Sequence, residues 1–173
     1  ITSIENKPPF INKEGGALTF STLDVMDSTY YCLGQNCCPN ILIEEGVVLL
    51  SEETPGLSNR EETIEVNYFS VDSNENIEQI KSAELFIDTV SPDIQITYDI
   101  VNSSYSETQS DINILVTVTE PSICQDSLAP IAESRLTNAL ISDNTSITYL
   151  GLEDGDYLYS VTCSDLHQNT ITK

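Results

Sequence analysis

Along much of this chain apolar and polar residues alternate one by one, a period of two that suits a half-buried strand and no helix. Thr63-Ile64-Glu65-Val66-Asn67-Tyr68-Phe69-Ser70-Val71 and Asp111-Ile112-Asn113-Ile114-Leu115-Val116-Thr117-Val118 carry it most clearly. Helical periodicity is hard to find. Residues 121–138 are the one stretch without strand character, and within them 132–136 predict at most a short helical turn. Short strands divided by Gly, Pro, Asn and Asp turns about every ten residues predict an all-β chain of antiparallel sheets packed face to face.

Two signatures recur along the chain, so the fold is expected to repeat. Tyr68-Phe69-Ser70-Val71-Asp72-Ser73-Asn74-Glu75-Asn76 is echoed by Ser160-Val161-Thr162-Cys163-Ser164-Asp165-Leu166-His167-Gln168-Asn169. Each is a strand entering an Asp-x-x-x-Asn turn, whose side chains can close the turn on backbone groups. Ile87-Asp88-Thr89-Val90-Ser91-Pro92-Asp93-Ile94 is matched by Ile4-Glu5-Asn6-Lys7-Pro8-Pro9-Phe10-Ile11, a strand end, a Pro-stiffened linker and a new strand. The matches divide the chain into a linker and end strand over residues 1–8, one domain over 9–90 and a second over 91–173. Units of roughly 80 residues have small cores, so a disulfide in each is physically sensible.

These signatures resemble the immunoglobulin-like repeats of large bacterial and archaeal cell-surface proteins. The resemblance rests on Tyr30-Tyr31-Cys32, Ser70-Val71-Asp72 with Asn76, Ile87-Asp88-Thr89 with Pro92, and Asp154-Gly155-Asp156-Tyr157 with Cys163 and Asp165. It implies two tandem immunoglobulin-like antiparallel β-sandwiches in an extracellular location. Such motifs specify fold well and function poorly. The chain departs from the pattern where Glu75 and Gln168 stand in place of glycine, so those turns are expected to differ in geometry, because glycine alone takes positive φ freely.

Charge narrows the function. With 28 Asp and Glu against 6 Lys and Arg, a net charge of -22 repels phosphate backbones and anionic lipid head groups. Nucleic-acid binding is excluded on that ground, and no apolar run approaches the roughly 20 residues that a membrane-spanning helix needs. An acidic, hydrated surface is the simplest reading of the excess charge. Two Asn-x-Ser sequons, at Asn102 and Asn144, suit an exported chain that carries glycans.

Five cysteines fit the same compartment. Cys124 and Cys163, alone in the second half, are expected to pair across the sandwich. Cys32 can close a small ring with Cys37 or Cys38, and the resemblance points to Cys38, which precedes Pro39. The cysteine left over reads most simply as a buried free thiol and alternatively as a cross-link between subunits. Zinc is disfavoured, since Cys-x4-Cys-Cys has no second ligand pair.

Calcium is the candidate cofactor, held at the junction of the halves by Asp88 and Asp93, with Asp72 and the Asp154-Gly155-Asp156 turn as further oxygen donors. The commoner reading of such residues is solvated, turn-forming acid. Tyr30, Tyr31, Tyr68, Tyr157 and Tyr159 offer aromatic faces for a sugar, but their strand positions favour cross-strand packing. His167 has no evident nucleophile partner and no phosphate-binding loop is present, so an enzyme is not expected.

The ends differ. After Asn76 the first half runs on through Ile77 to Asp88, whereas after Asn169 the second has only Thr170-Ile171-Thr172-Lys173. The final strand is thus expected to be cut short. Residues 1–6, with Ile1 and Ile4, read as the end strand of a preceding domain or as a strand donated to a neighbouring copy. The expected function is a non-catalytic subunit or repeat of a surface filament, surface layer or adhesive stalk, joined head to tail. The alternative is an accessory or glycan-binding module of a larger exported enzyme.

Overall fold

The computed structural model describes residues 1–22, 28–102 and 109–173, without the side chains of 101, 102 and 109. Its secondary structure is all β, with no helix among the described residues, and none there is long and apolar enough to cross a membrane. Fourteen described strands form four antiparallel sheets in two compact units, Ile1–Val90 and Ser91–Lys173.

In the first unit β1 (Thr2–Asn6), β2 (Gly16–Thr22) and β5 (Val47–Leu50) form one sheet in the order β1-β2-β5. The other is β4-β3-β6-β7, from β3 (Ser28–Leu33), β4 (Ile41–Leu42), β6 (Glu61–Val71) and β7 (Lys81–Asp88). Their inner faces share one core, in which Leu18, Leu50, Val66, Leu85 and Ile87 are at most 2% exposed. Side chains buried this deeply stabilise by roughly 1.5–3 kcal/mol each. Pro8 and Pro9 take the chain off β2, and Ile11 then bridges Ile87 in parallel, donating to the Phe86 carbonyl at 2.9 Å and accepting from the Asp88 N–H at 2.8 Å.

The second unit repeats this strand order. β8 (Ile94–Asn102), β9 (Gln109–Val118) and β12 (Asn144–Glu153) form the sheet β12-β9-β8. β10 (Ser122–Ala129), β11 (Ala139–Ile141), β13 (Leu158–Asp165) and β14 (Thr170–Thr172) form β11-β10-β13-β14. The β9–β12 register slips between Tyr149 and Leu152, where Gly151 takes a φ of 64° that a side chain would oppose. The slip turns both Tyr149 and Leu152 into the core, three residues apart.

Three expectations need correction. Residues 1–6 do not stand apart: Thr2 pairs with Thr22 and Ile4 with Phe20, so β1 is the first unit's own edge strand. Ile4 packs against that unit's core, and Ile1 is 74% exposed beside it. Residues 121–138 are not strandless, because β10 lies within them; its inward positions are Ser122, Cys124, Asp126 and Leu128, and polar residues at two of the four hide the alternation. The turns at Glu75 and Gln168 keep positive φ, 66° and 70°, without glycine. Asp72 accepts from the N–H groups of Asn74 and Asn76 at 2.8 Å, and Asp165 from those of His167 and Asn169 at 2.7 and 2.9 Å, which holds the strained residue in place.

One carboxylate fastens β1. Glu78 accepts from the Thr2 N–H at 2.9 Å, while Lys81 donates to the Thr2 carbonyl at 2.6 Å and lies 3.3 Å from Glu78. Burial alone would raise the Glu78 pKa, but the Thr2 hydroxyl and N–H and then Lys81 bring it down to about 2. A pKa below the unfolded value contributes stability above about pH 4.5, and that contribution fades as pH falls toward about 2. Glu78→Gln is therefore expected to loosen β1 at pH 7 by about 1–2 kcal/mol, read as roughly five- to thirtyfold lower amide-exchange protection over Thr2–Asn6. Acidifying the native chain from pH 6 to 3 should produce the same local loosening. Unchanged protection in both experiments, taken relative to the intrinsic amide-exchange rate at each pH, would show that Glu78 does not hold the strand.

Candidate functional site

Several of the polar groups buried in the second unit are tied to one another. Asp126, 7% exposed on β10, accepts from the Arg135 and Leu136 N–H groups at 2.7 Å, from the Ser134 hydroxyl at 3.0 Å and from the Tyr149 hydroxyl at 2.8 Å. Burial works to raise its pKa, but these four donors outweigh burial and hold the carboxyl below its ordinary range. Burial first, and the Asp126 charge after it, push the Tyr149 and Tyr159 hydroxyls upward. Arg135 lies 5.5 Å over the Tyr149 ring. A carboxylate saturated by four donors pins residues 134–136 to β10 and has no spare basicity for proton transfer. Sequence reasoning passed over Asp126, although counting by twos from Cys124 places it on the inward face.

Cys124 and Cys163 form a disulfide. The bond does not cross between the two sheets, as expected, but joins directly opposed residues of the neighbouring strands β10 and β13. In the first unit Cys32 pairs with Cys37. Cys38 is the free thiol, against the resemblance, and it is exposed instead of buried.

Two of the acids named for calcium, Asp72 and Asp88, lie far apart in the first unit. Asp88 lies opposite Glu61 at one end of β6, and Asp72 follows Val71 at the other, eleven residues on. At about 3.3 Å per residue that is roughly 35 Å, so Asp72 and Asp88 cannot share an ion. Asp88 is buried and accepts from the Val90 N–H at 3.1 Å. Asp93 accepts from Lys173 at 2.8 Å and from the Ile94 N–H at 2.9 Å, and the Lys173 bond lowers its pKa. Asp154, Gly155 and Asp156 are exposed between β12 and β13. Among the described residues, neither unit by itself gathers three His, Cys, Asp or Glu ligand atoms around one point.

The tyrosines mostly pack against neighbours: Tyr30 stacks on Phe69 at 5.5 Å, Tyr68 meets Phe20 edge-on at 5.3 Å, and Tyr149 meets Tyr159 edge-on at 6.4 Å. Asn144 is exposed at the start of β12, in reach of a glycan, with its amide donating to Asp143 at 2.8 Å. The Asn102 side chain, Ser103 and Ser104 lie outside the described residues.

A concavity of the second unit opens on one flank. It is a groove of about 430 Å³ walled by Ile96, Tyr98 and Ile100 of β8, Ile112 and Ile114 of β9, and Tyr157 and Tyr159. Along the inward face of β8, Ile94 is fully buried, but Tyr98 is 70% and Ile100 57% exposed. β14 pairs only with Thr162–Ser164, and Lys173 bonds Val161 in both directions at 2.8 and 2.9 Å. Strand alternation then aims the N–H and C=O of Tyr159 at the same edge, beyond the reach of β14. Apolar walls beside an open strand edge can hold an extended peptide.

No protein-family model matches this chain, and no curated protein is found to match it.

Proposed function

We propose that the chain is a non-catalytic structural module of an extracellular assembly, a cell-surface filament, surface layer or adhesive stalk, in which neighbouring copies or domains join head to tail. In this reading each unit is an immunoglobulin-like β-sandwich. The observation that carries it is the repetition of one strand order in both units, β1-β2-β5 with β4-β3-β6-β7 and then β8-β9-β12 with β11-β10-β13-β14. Repeated units joined in series supply mechanical continuity along an assembly. Two disulfides suit an oxidising compartment, and the net charge of -22 keeps an extended surface hydrated. The exposed Asn144 sequon is consistent with the same location.

Antibodies against the chain, applied to intact cells of its source and viewed by electron microscopy, are expected to decorate surface structures at a regular repeat. Labelling that appears only after lysis would overturn the reading.

A further inference from the structure

The two units share a strand order but not the chemistry of one outer face. Aligned on the Asp72–Asn76 and Asp165–Asn169 turns, Phe69 falls on Thr162, Val71 on Ser164 and Ile77 on Thr170. The pairings agree: Val71 bridges Ile77 as Ser164 pairs with Thr170, and Tyr30 pairs with Phe69 as Gln125 pairs with Thr162. In the first unit these positions face away from the core, because Tyr31 and Tyr68 next to them in the chain pack inward. The second unit fills the four places with Gln125, Thr162, Ser164 and Thr170, polar side chains that suit water, and the Ser164 and Thr170 hydroxyls lie 2.7 Å apart. The first unit fills them with Tyr30, Phe69, Val71 and Ile77. The fold therefore does not require apolar side chains there. Tyr30 stacks on Phe69 at 5.5 Å, and Leu42 lies opposite Tyr30 on the next strand, so an apolar stripe runs across β4, β3 and β6. Leu42 is 49% and Ile77 69% exposed.

Charge decides what covers the stripe. A cationic partner is drawn to the acids elsewhere on the chain and gains nothing from a row without them. A second copy carries the same net charge of -22 and is repelled wherever acids meet acids, so an uncharged apolar face is where it can come close. The stripe is about four strands wide at about 4.8 Å and about five residues long at about 3.3 Å, roughly 300 Å² in plan. A stable pair buries about 800 Å² on each partner. The contact is therefore weak between two free chains and adds up where many copies lie side by side. We propose that the outer face of the β4-β3-β6-β7 sheet is a lateral contact between copies of this chain, first unit against first unit. Tyr30, Leu42, Phe69, Val71 and Ile77 of one copy pack on the same residues of the other, a self-complementary arrangement. The inference rests on the assembly reading for its setting and adds a sideways contact to the head-to-tail one, while self-association in solution tests the face whatever the cellular location proves to be.

The test uses the full 173-residue chain carrying Cys38→Ser, so that no disulfide forms between copies through the exposed thiol. Between about 0.05 and about 1 mM, the NMR resonances of Tyr30, Leu42, Phe69, Val71 and Ile77 are expected to shift with concentration, while those of the second unit stay still. Raising the salt from about 0.05 to about 0.5 M should strengthen the association, because salt screens the like charges and leaves the apolar contact intact. Leu42→Ser with Ile77→Thr changes two exposed side chains and no charge, and should weaken the association at least about fivefold. Leu49→Ser, at a side chain 78% exposed on the other sheet, should leave it unchanged. Resonances that do not move with concentration, shifts centred on the second unit or on Leu49, weakening by salt, or equal association in the double variant would each overturn the proposal. Association through this face in a chain found only inside cells would sink the surface role and leave the contact standing. Regular surface labelling by a strictly monomeric chain would do the reverse.

Discussion

Replacing Cys124 and Cys163 together by alanine is expected to lower the stability of the second unit by about 4 kcal/mol. The bridge closes a separation of 39 residues, and the chain-entropy relation gives that value for a loop of this length. A unit spanning Ser91–Lys173 is stable by roughly 4–12 kcal/mol in total, so this one change can remove most of it. Cys32→Ala with Cys37→Ala opens a separation of only 5 and is expected to cost about 2 kcal/mol, confined to the first unit. Both cysteines must be changed there, because Cys38 is exposed nearby in sequence and could replace Cys37. Denaturant unfolding followed by residue-resolved NMR separates the two units. Equal losses in the two variants, or an unaffected second unit, would contradict the assignment of Cys124–Cys163 as that unit's main covalent support.

Asp126→Ala should be nearly as damaging, about 3–5 kcal/mol. It leaves the Leu136 N–H and the Tyr149 hydroxyl buried without their acceptor, at about 1–3 kcal/mol for each orphaned donor, and frees residues 134–136 from β10. Asp126→Asn keeps one acceptor oxygen and should lose less, about 1–2 kcal/mol. The sign of the pH dependence separates this explanation from simple loss of packing. The folded pKa of Asp126 lies below the unfolded value, so its contribution is complete above the unfolded value and is lost as pH falls through the folded one. Asp126→Asn should therefore show a weaker fall in stability below about pH 4 than the native chain. An identical acid profile in both proteins would mean that the carboxylate is not the group that matters.

Much of this architecture is legible in the residues themselves. Period-two alternation marks β6 and β9 directly, because each buries one face against a core and leaves the other in water. The paired Asp-x-x-x-Asn turns locate equivalent points in both halves, and the proline-rich linker falls beside the boundary between Val90 and Ser91. Where alternation misled, the cause was chemical: at β10 the buried face carries the polar Ser122 and Asp126, and the burial of Asp126 becomes acceptable only through donors at residues 134–136 and 149. Residues 1–6 misled for another reason. A five-residue strand carries no mark of which edge it joins, and β1 is settled by its pairing with β2 and the grip of Glu78 and Lys81 on Thr2.

The candidate site was less legible than the fold. The turn at Asn169 that leads into β14 is visible in the sequence. That the opening is a groove, with Tyr98 and Ile100 exposed on a face meant for burial, depends on residues of β8, β9 and β13 meeting across two sheets. Which cysteine pairs with Cys32, and whether Asp72 lies near Asp88, likewise follow from distances that local patterns do not encode. The sequence by itself determined the strongly alternating strands such as β6 and β9, the two-fold repetition and the acidic surface, because each arises from residue type and spacing along a single strand or turn. Tertiary structure alone decided the edge that β1 joins, the partners that let Asp126 stay charged and buried, and the open flank, because each depends on which distant strand lies alongside.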